Sequence, residues 1–140
     1  MRVRRILLDT NVVLDVLLDR KPWVAEASAL WEAVDLGRLT AAISATTITD
    51  VYYVARRSVS REKAREAITL CLATFLIAGM DAVTLRLALA IAGEDYKDDV
   101  QVACTQQLAL DAIVTRDAEG FLDCPTSVLT PAQCLALLTP

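Results

Sequence analysis

Asp9, Asp50, Asp98 and Asp117 are the residues of this chain best suited to chemistry. Asp9 ends the apolar run Ile6-Leu7-Leu8 and is followed by Thr10-Asn11. Asp50 stands inside an apolar helical pattern of Ile48, Val51, Tyr52 and Val54, although Asp is a poor helix-interior residue. Asp98 comes early in another helical pattern, where Asp95 reads as the cap, Asp99 as exposed and Asp98 as inward, on the face of Val102 and Thr105. Asp117 closes Ala112-Ile113-Val114 by way of Thr115-Arg116. Each also has a plain structural reading: Asp9 as a helix cap, Asp50 as a solvent-facing carboxylate, Asp98 with Asp95 and Asp99 as negative charge loading a helix N-terminus, and Asp117 as a turn residue. Gathered together, however, carboxylates repel and resist ionising. A divalent cation relieves that repulsion. An all-oxygen donor set without His or Cys selects a hard ion, Mg²⁺ or Mn²⁺. Such an ion activates water and neutralises charge developing on a phosphoryl centre. The expected chemistry is therefore phosphodiester hydrolysis rather than peptide or ester cleavage.

Other chemistries are removed by what the chain lacks. It has no histidine, which excludes Ser-His-Asp and Cys-His catalysis and His-ligated zinc. Cys71, Cys104, Cys124 and Cys134 form no C-x-x-C pair. Cys71 and Cys104 fall within apolar helical patterns and read as small buried hydrophobes. The net charge of −4 argues against a nonspecific nucleic-acid coat but not against an acidic metal centre. Arg2, Arg4 and Arg5 precede an apolar run that Asp9 interrupts too early for a signal peptide. The longest uncharged stretch, residues 67–80, is too short for a membrane helix. These features lead us to expect a soluble cytoplasmic protein with one domain over residues 1–140.

The elements that must position the four acids can be read in order. Val3 to Leu8 is a continuous apolar stretch, as suits a strand covered on both faces. A helix follows from Asn11 to Leu18, and Pro22 suits the first turn of the next, which Gly37 ends. Leu39 to Ile43 is a second strand, and Ser44 opens a third helix to about Arg57. Ser60 caps a fourth helix from Arg61 to Thr74. Phe75 to Ala78 is a third strand, Ala82 to Ala92 a fifth helix, and Tyr96 to Leu110 a sixth. Ala112 to Val114 is a fourth strand, Phe121 to Pro125 a loop, Ser127 to Leu129 a fifth strand and Pro131 to Leu138 a final helix. Strands alternating with helices predict an α/β/α sandwich around a parallel sheet of four to five strands.

That topology gathers the acids. Crossover helices run antiparallel to the strands, so each begins near the carboxyl edge of the sheet, where ligands bind in open α/β folds. Asp9 and Asp117 end strands at that edge, while Asp50 and Asp98 lie near the starts of their helices. Four carboxylates distant in sequence thus meet on one rim. Thr10, Asn11 and Thr115 are placed to orient water or the carboxylates. Arg116 and the basic run containing Arg56 and Arg57 are candidates for phosphate contact.

With these positions in place, the chain resembles the PIN-domain family, and within it the VapC-like toxin ribonucleases of toxin–antitoxin pairs. Leu7-Leu8-Asp9-Thr10-Asn11-Val12 is similar to the opening strand and first acid of the family. Residues 43–50, ending in Asp50, resemble the segment of the second acid, residues 95–101 that of the third, and Ile113 to Asp117 that of the fourth. The resemblance implies a Mg²⁺- or Mn²⁺-dependent endoribonuclease acting on single-stranded or loop RNA. It also implies a homodimer inhibited by a cognate antitoxin. Asp9, Asp98 and Asp117 would bind metal and Asp50 would complete or tune the cluster. Two features depart from the pattern. The second acid is often Glu in the family, so the shorter Asp50 would reach metal through water, and Asp99 stands where a small residue is common.

Two other classes compete with this reading. A non-catalytic PIN-like RNA- or protein-binding module would keep the fold with weak metal binding. A phosphotransfer protein fits less well: a haloacid-dehalogenase-like enzyme would want a second Asp where Asn11 stands, and a receiver would want paired acids after its first strand.

Overall fold

The computed structural model describes residues 1–121 and 123–138. In chain order the elements are β1 (Arg5–Leu8), α1 (Thr10–Leu17), α2 (Val24–Asp35), β2 (Thr40–Ser44), α3 (Ala45–Ser58), α4 (Arg61–Thr74), β3 (Leu76–Ala78), α5 (Ala82–Ile91), α6 (Tyr96–Gln107), β4 (Ala112–Val114), a 3-10 turn (Ala118–Phe121), β5 (Val128–Leu129) and α7 (Pro131–Ala136). All strand pairs are parallel, in the order β3-β2-β1-β4-β5.

The strands are apolar without interruption because both faces are covered. Ile6 and Leu8 of β1, Ala41 and Ile43 of β2, and Val114 of β4 point into one core with Val13, Leu30, Trp31, Val51, Cys71 and Cys134. Leu7, Ala42 and Ile113 point the other way, against Ala88, Val100 and Ala103. One layer therefore holds α1, α2, α3, α4 and α7, and the opposite layer holds α5 and α6. This is the expected α/β/α sandwich. Trp31 packs edge-on against Phe75 at 4.7 Å between ring centres. Burial pushes the thiols of Cys71, Cys104 and Cys134 up to about 11, as suits inert core residues.

The helices start where local chemistry lets them. Ser44 and Ser60 accept from the backbone N–H three residues on, at 3.2 and 3.0 Å. Asp81 with Thr84 and Thr130 with Gln133 form capping boxes. The predicted α4 and β4 match in full. Other ends move. Pairing with β2 starts at Arg5, leaving the buried Val3 outside the ladder. The second helix begins at Val24 rather than Pro22, after a turn through residues 21–23. The sixth stops at Gln107 because Ala109 turns left-handed, with φ 51°. The last ends at Ala136. Within the predicted 121–125 loop Phe121 closes the 3-10 turn, and Leu122 lies outside the described residues.

The strand order fixes where a site can form. The chain moves from β1 outward to β2 and β3, then returns to place β4 on the other side of β1. The carboxyl ends of β1 and β4 border the point where the order reverses, and the crevice there is the ligand position of such sheets.

Leu7 is fully buried in the α5/α6 core, whereas Leu89 on α5 is 67% exposed. Urea unfolding is expected to show a loss of about 2–5 kcal/mol for Leu7→Ala and less than about 0.5 kcal/mol for Leu89→Ala.

Candidate metal centre

Asp9 is the first residue past β1, and its N–H continues the ladder to Val114 O at 2.9 Å. Its carboxylate caps α1, Oδ1 accepting from Thr10 N at 2.9 Å. It also does more than cap. Oδ1 accepts from Gln101 Nε2 of α6 at 3.2 Å, and Oδ2 accepts from Thr115 Oγ1 after β4 at 2.9 Å. The donors come from three separate parts of the chain, so the carboxylate has a fixed direction.

Thr115 is fully buried and links the other pieces. Its Oγ1 accepts from Asn11 Nδ2 at 3.3 Å and from Asp117 N at 3.0 Å. Asn11 Oδ1 accepts from Arg116 N at 3.3 Å. Thr10 shares a hydroxyl hydrogen bond of 2.9 Å with Thr47 of α3. Thr10, Asn11 and Thr115, the three residues expected to support the acids, therefore form one network beneath Asp9.

Asp98 lies in the first turn of α6. Its pKa is raised from 3.8 to about 6, first by burial and then by the charges of Asp95, Asp9, Asp117 and Asp99. Asp98 and Asp117 face one point: a Cβ on Gly120 would stand 3.1 Å from Asp98 Oδ2 and 3.4 Å from Asp117 Oδ2. Glycine keeps that space clear. Among the described residues, no group of three acidic or thiol side chains forms a ready-made ion cage. The donor chemistry nevertheless fits a hard cation. Two carboxylates share an open point, one is pushed towards its neutral form by burial and then by like charges, and all available donors are oxygens.

Asp50 also lies on the α3 wall of this rim, but it meets a lysine. Lys97 Nζ, from α6, lies 2.5 Å from Asp50 Oδ2. That oxygen is buried and accepts no well-directed hydrogen bond among the described residues, so the ammonium is what compensates it. Asp95 caps α6, as expected, accepting from Lys97 N and Asp98 N at 2.9 and 3.2 Å. Asp99 departs from expectation. It is buried rather than exposed, because its Oδ2 accepts from Gly93 N at 3.0 Å and closes the turn between α5 and α6.

The candidate phosphate contacts are placed differently from the acids. The Arg116 guanidinium is committed to Asp15, with Nε at 2.7 Å from Oδ2 and Nη2 at 3.2 Å from Oδ1. It also lies 3.8 Å above the Trp23 ring. Arg56 and Arg57 are exposed in the last turn of α3, about 9 Å along the helix from Asp50. There they complement the negative end of the helix dipole.

The sequence reading passed over Gln101, Thr47, Asp15 and Lys97. For Gln101 a signal existed: it follows Asp98 by three residues and so shares its helix face. Asp15 stands among Val12, Val13 and Val16, an acid within an apolar helix pattern just as Asp50 is. Lys97 carried no signal of its own.

The PIN domain family model matches residues 5–119. The chain belongs to the PIN-domain family. Solved PIN-fold structures are similar over nearly its whole length. A toxin-antitoxin complex from Klebsiella pneumoniae aligns at 26% identity and TM-score 0.69, covering 90% of this chain and 97% of the other. The DNA-bound VapBC of Salmonella typhimurium aligns at 17% identity and TM-score 0.71, covering 92% and 99%. VapC20 of Mycobacterium tuberculosis, a sarcin-ricin loop cleaving toxin, aligns at 12% identity and TM-score 0.68, covering 82% and 92%. No curated protein matches the sequence. In this PIN domain no helix among the described residues is long and apolar enough to cross a membrane.

Two outcomes are expected from this geometry. Asp15 is 1% exposed, so Arg116→Ala strands a buried carboxylate. A loss of about 3 kcal/mol or more is expected in urea unfolding, with much of it recovered in the Asp15→Asn/Arg116→Ala double variant. Asp98 holds in the folded state a proton that the unfolded chain releases near pH 3.8. The contribution of this group to stability therefore falls as pH rises from there to about 6 and stays low above. Carbon-detected NMR titration of the metal-free protein is expected to place Asp98 near 6. Asp98→Asn is expected to be the more stable protein at pH 7.

Proposed function

We propose that this chain is a divalent-metal-dependent endoribonuclease, hydrolysing phosphodiester bonds in single-stranded or loop RNA as the toxin of a toxin–antitoxin pair. Its partners are a cognate antitoxin protein and a second copy of the chain, and it works in the cytoplasm. The observation that carries the reading is the pair of carboxylates, Asp98 and Asp117, that face one open point beside Gly120 near the reversal point of the sheet, with the ionisation of Asp98 opposed by burial first and then by the charges of Asp95, Asp9, Asp117 and Asp99. A site with that excess of negative charge is unfavourable as it stands and favourable once it holds a cation. Membership of the PIN-domain family supports the activity. The similarity to a toxin-antitoxin complex and to a toxin that cleaves the sarcin-ricin loop supports the biological setting.

Asp9, Asp98 and Asp117 would hold the ion, Mg²⁺ or Mn²⁺. Bound there, it supplies an acidified water and positive charge for the phosphoryl group. The chain's own residues do the positioning. Gln101 and Thr115 donate to Asp9 and keep its lone pairs aimed, while Asn11 fixes Thr115 and the turn that carries Asp117. Asp50 is neutralised at the rim by its pair with Lys97. Arg56 and Arg57 would guide RNA by phosphate contact from a distance, and Arg116 would do so only on leaving Asp15.

One observation favours a second reading, a non-catalytic PIN-like RNA- or protein-binding module with weak metal binding: Asp50 already has its counter-charge in Lys97. The purified protein is to be incubated with a structured RNA and Mn²⁺ or Mg²⁺. Cleavage is expected, with loss on chelation and a fall of at least about 100-fold in Asp9→Asn and Asp98→Asn. Metal binding by calorimetry without any RNA cleavage would favour the binding module. Equal cleavage by wild type and Asp9→Asn would overturn the site.

A further inference from the structure

Lys97 is the charged residue on the rim that the proposed chemistry does not require. It stands in the first turn of α6, where the positive end of the helix dipole disfavours a cation. It is nevertheless drawn across to α3, with Nζ 2.5 Å from Asp50 Oδ2. Asp50 Oδ2 is buried and accepts no well-directed hydrogen bond among the described residues, so the ammonium is its counter-charge. The rim divides in two: among the described residues Asp9, Asp98 and Asp117 make no ion pair, whereas Asp50 has a cation built in.

We infer that the Lys97 ammonium occupies the place of a second divalent ion, so that this chain binds a single metal ion. The inference rests on the metal-dependent reading of the site given above. Two-metal nucleases need carboxylates to hold ions roughly 3.5–4 Å apart. Here the carboxylate available for the outer ion is held by a lysine of the same chain. A tethered monovalent cation costs no binding entropy and cannot be removed by chelation. It leaves Asp50 charged but unavailable.

The test is a count of ions. Mn²⁺ is titrated into metal-free protein by calorimetry, with electron paramagnetic resonance on the loaded samples. Wild type is expected to bind one Mn²⁺ per chain with the spectrum of an isolated ion. Lys97→Met is expected to bind a second and to show the exchange-coupled signal of a Mn²⁺ pair. Lys97→Arg, which keeps the charge, is expected to retain one. The Lys97 side chain is 57% exposed, so Lys97→Met should fold, as circular dichroism and thermal melting will report. Two ions in wild type, or one in both wild type and Lys97→Met, would overturn the inference and leave the metal site standing. No Mn²⁺ bound by any variant at millimolar concentration would overturn the metal-dependent reading itself, and the inference with it.

Discussion

The structure turns on a single carboxylate held in place by hydrogen bonds from three directions. Asp9 receives Thr10 N from its own helix, Gln101 from α6 and Thr115 from the strand beside it. These bonds span both helical layers of the sandwich and the two central strands. They fix the direction of the Asp9 carboxylate, and its charge bears on Asp98 beside it. Asp98 carries a pKa raised to about 6, by burial first and then by the charges of Asp95, Asp9, Asp117 and Asp99.

The loop after β4 needs equal control, because it carries Thr115 and Asp117 on consecutive turns of chain. Arg116 supplies it. Its side chain reaches back to the buried Asp15 in a two-pronged contact and is covered by Trp23. A buried ion pair offers little net stability over an apolar pair of the same size, but breaking it is costly. Its value here is directional. It fixes the backbone between Thr115 and Asp117 against α1, the helix that begins at Asp9. In this structure the Arg116 guanidinium is paired with Asp15, where it braces the loop.

Much of this was legible in the sequence because it follows from periodicity and caps. The unbroken apolar strands announced a sheet covered on both faces, and Asp9 and Asp117 were placed at the edge by the strands that precede them. Ser60 and Ala112 to Val114 were read to the residue because cap and strand signals there are local. What could not be read depends on which side chain reaches which. Asp99 looked exposed by its place in a polar cluster, yet a backbone N–H from Gly93, six residues earlier, draws it inward. Asp15 and Arg116 find one another across 101 residues. Helical spacing can say that Lys97 and Asp98 point different ways, but not that one of those ways ends at Asp50.

Asp50 shows how one methylene alters the argument. A longer acid on α3 would extend one methylene further from the helix, whereas Asp50 ends where the Lys97 ammonium meets it. On the function proposed above, charge balance would fall to groups of two kinds: the Lys97 ammonium for the wall and an exchangeable ion for the open point beside Gly120. The separation has a physical cause in the chain's own geometry. Glycine at 120 keeps the open point accessible from the loop, whereas the four-carbon stem of Lys97 spans from one helix to the other and closes off the wall. A site made in this way would accommodate its excess negative charge partly by folding and partly by binding, and only the second part would respond to the supply of metal.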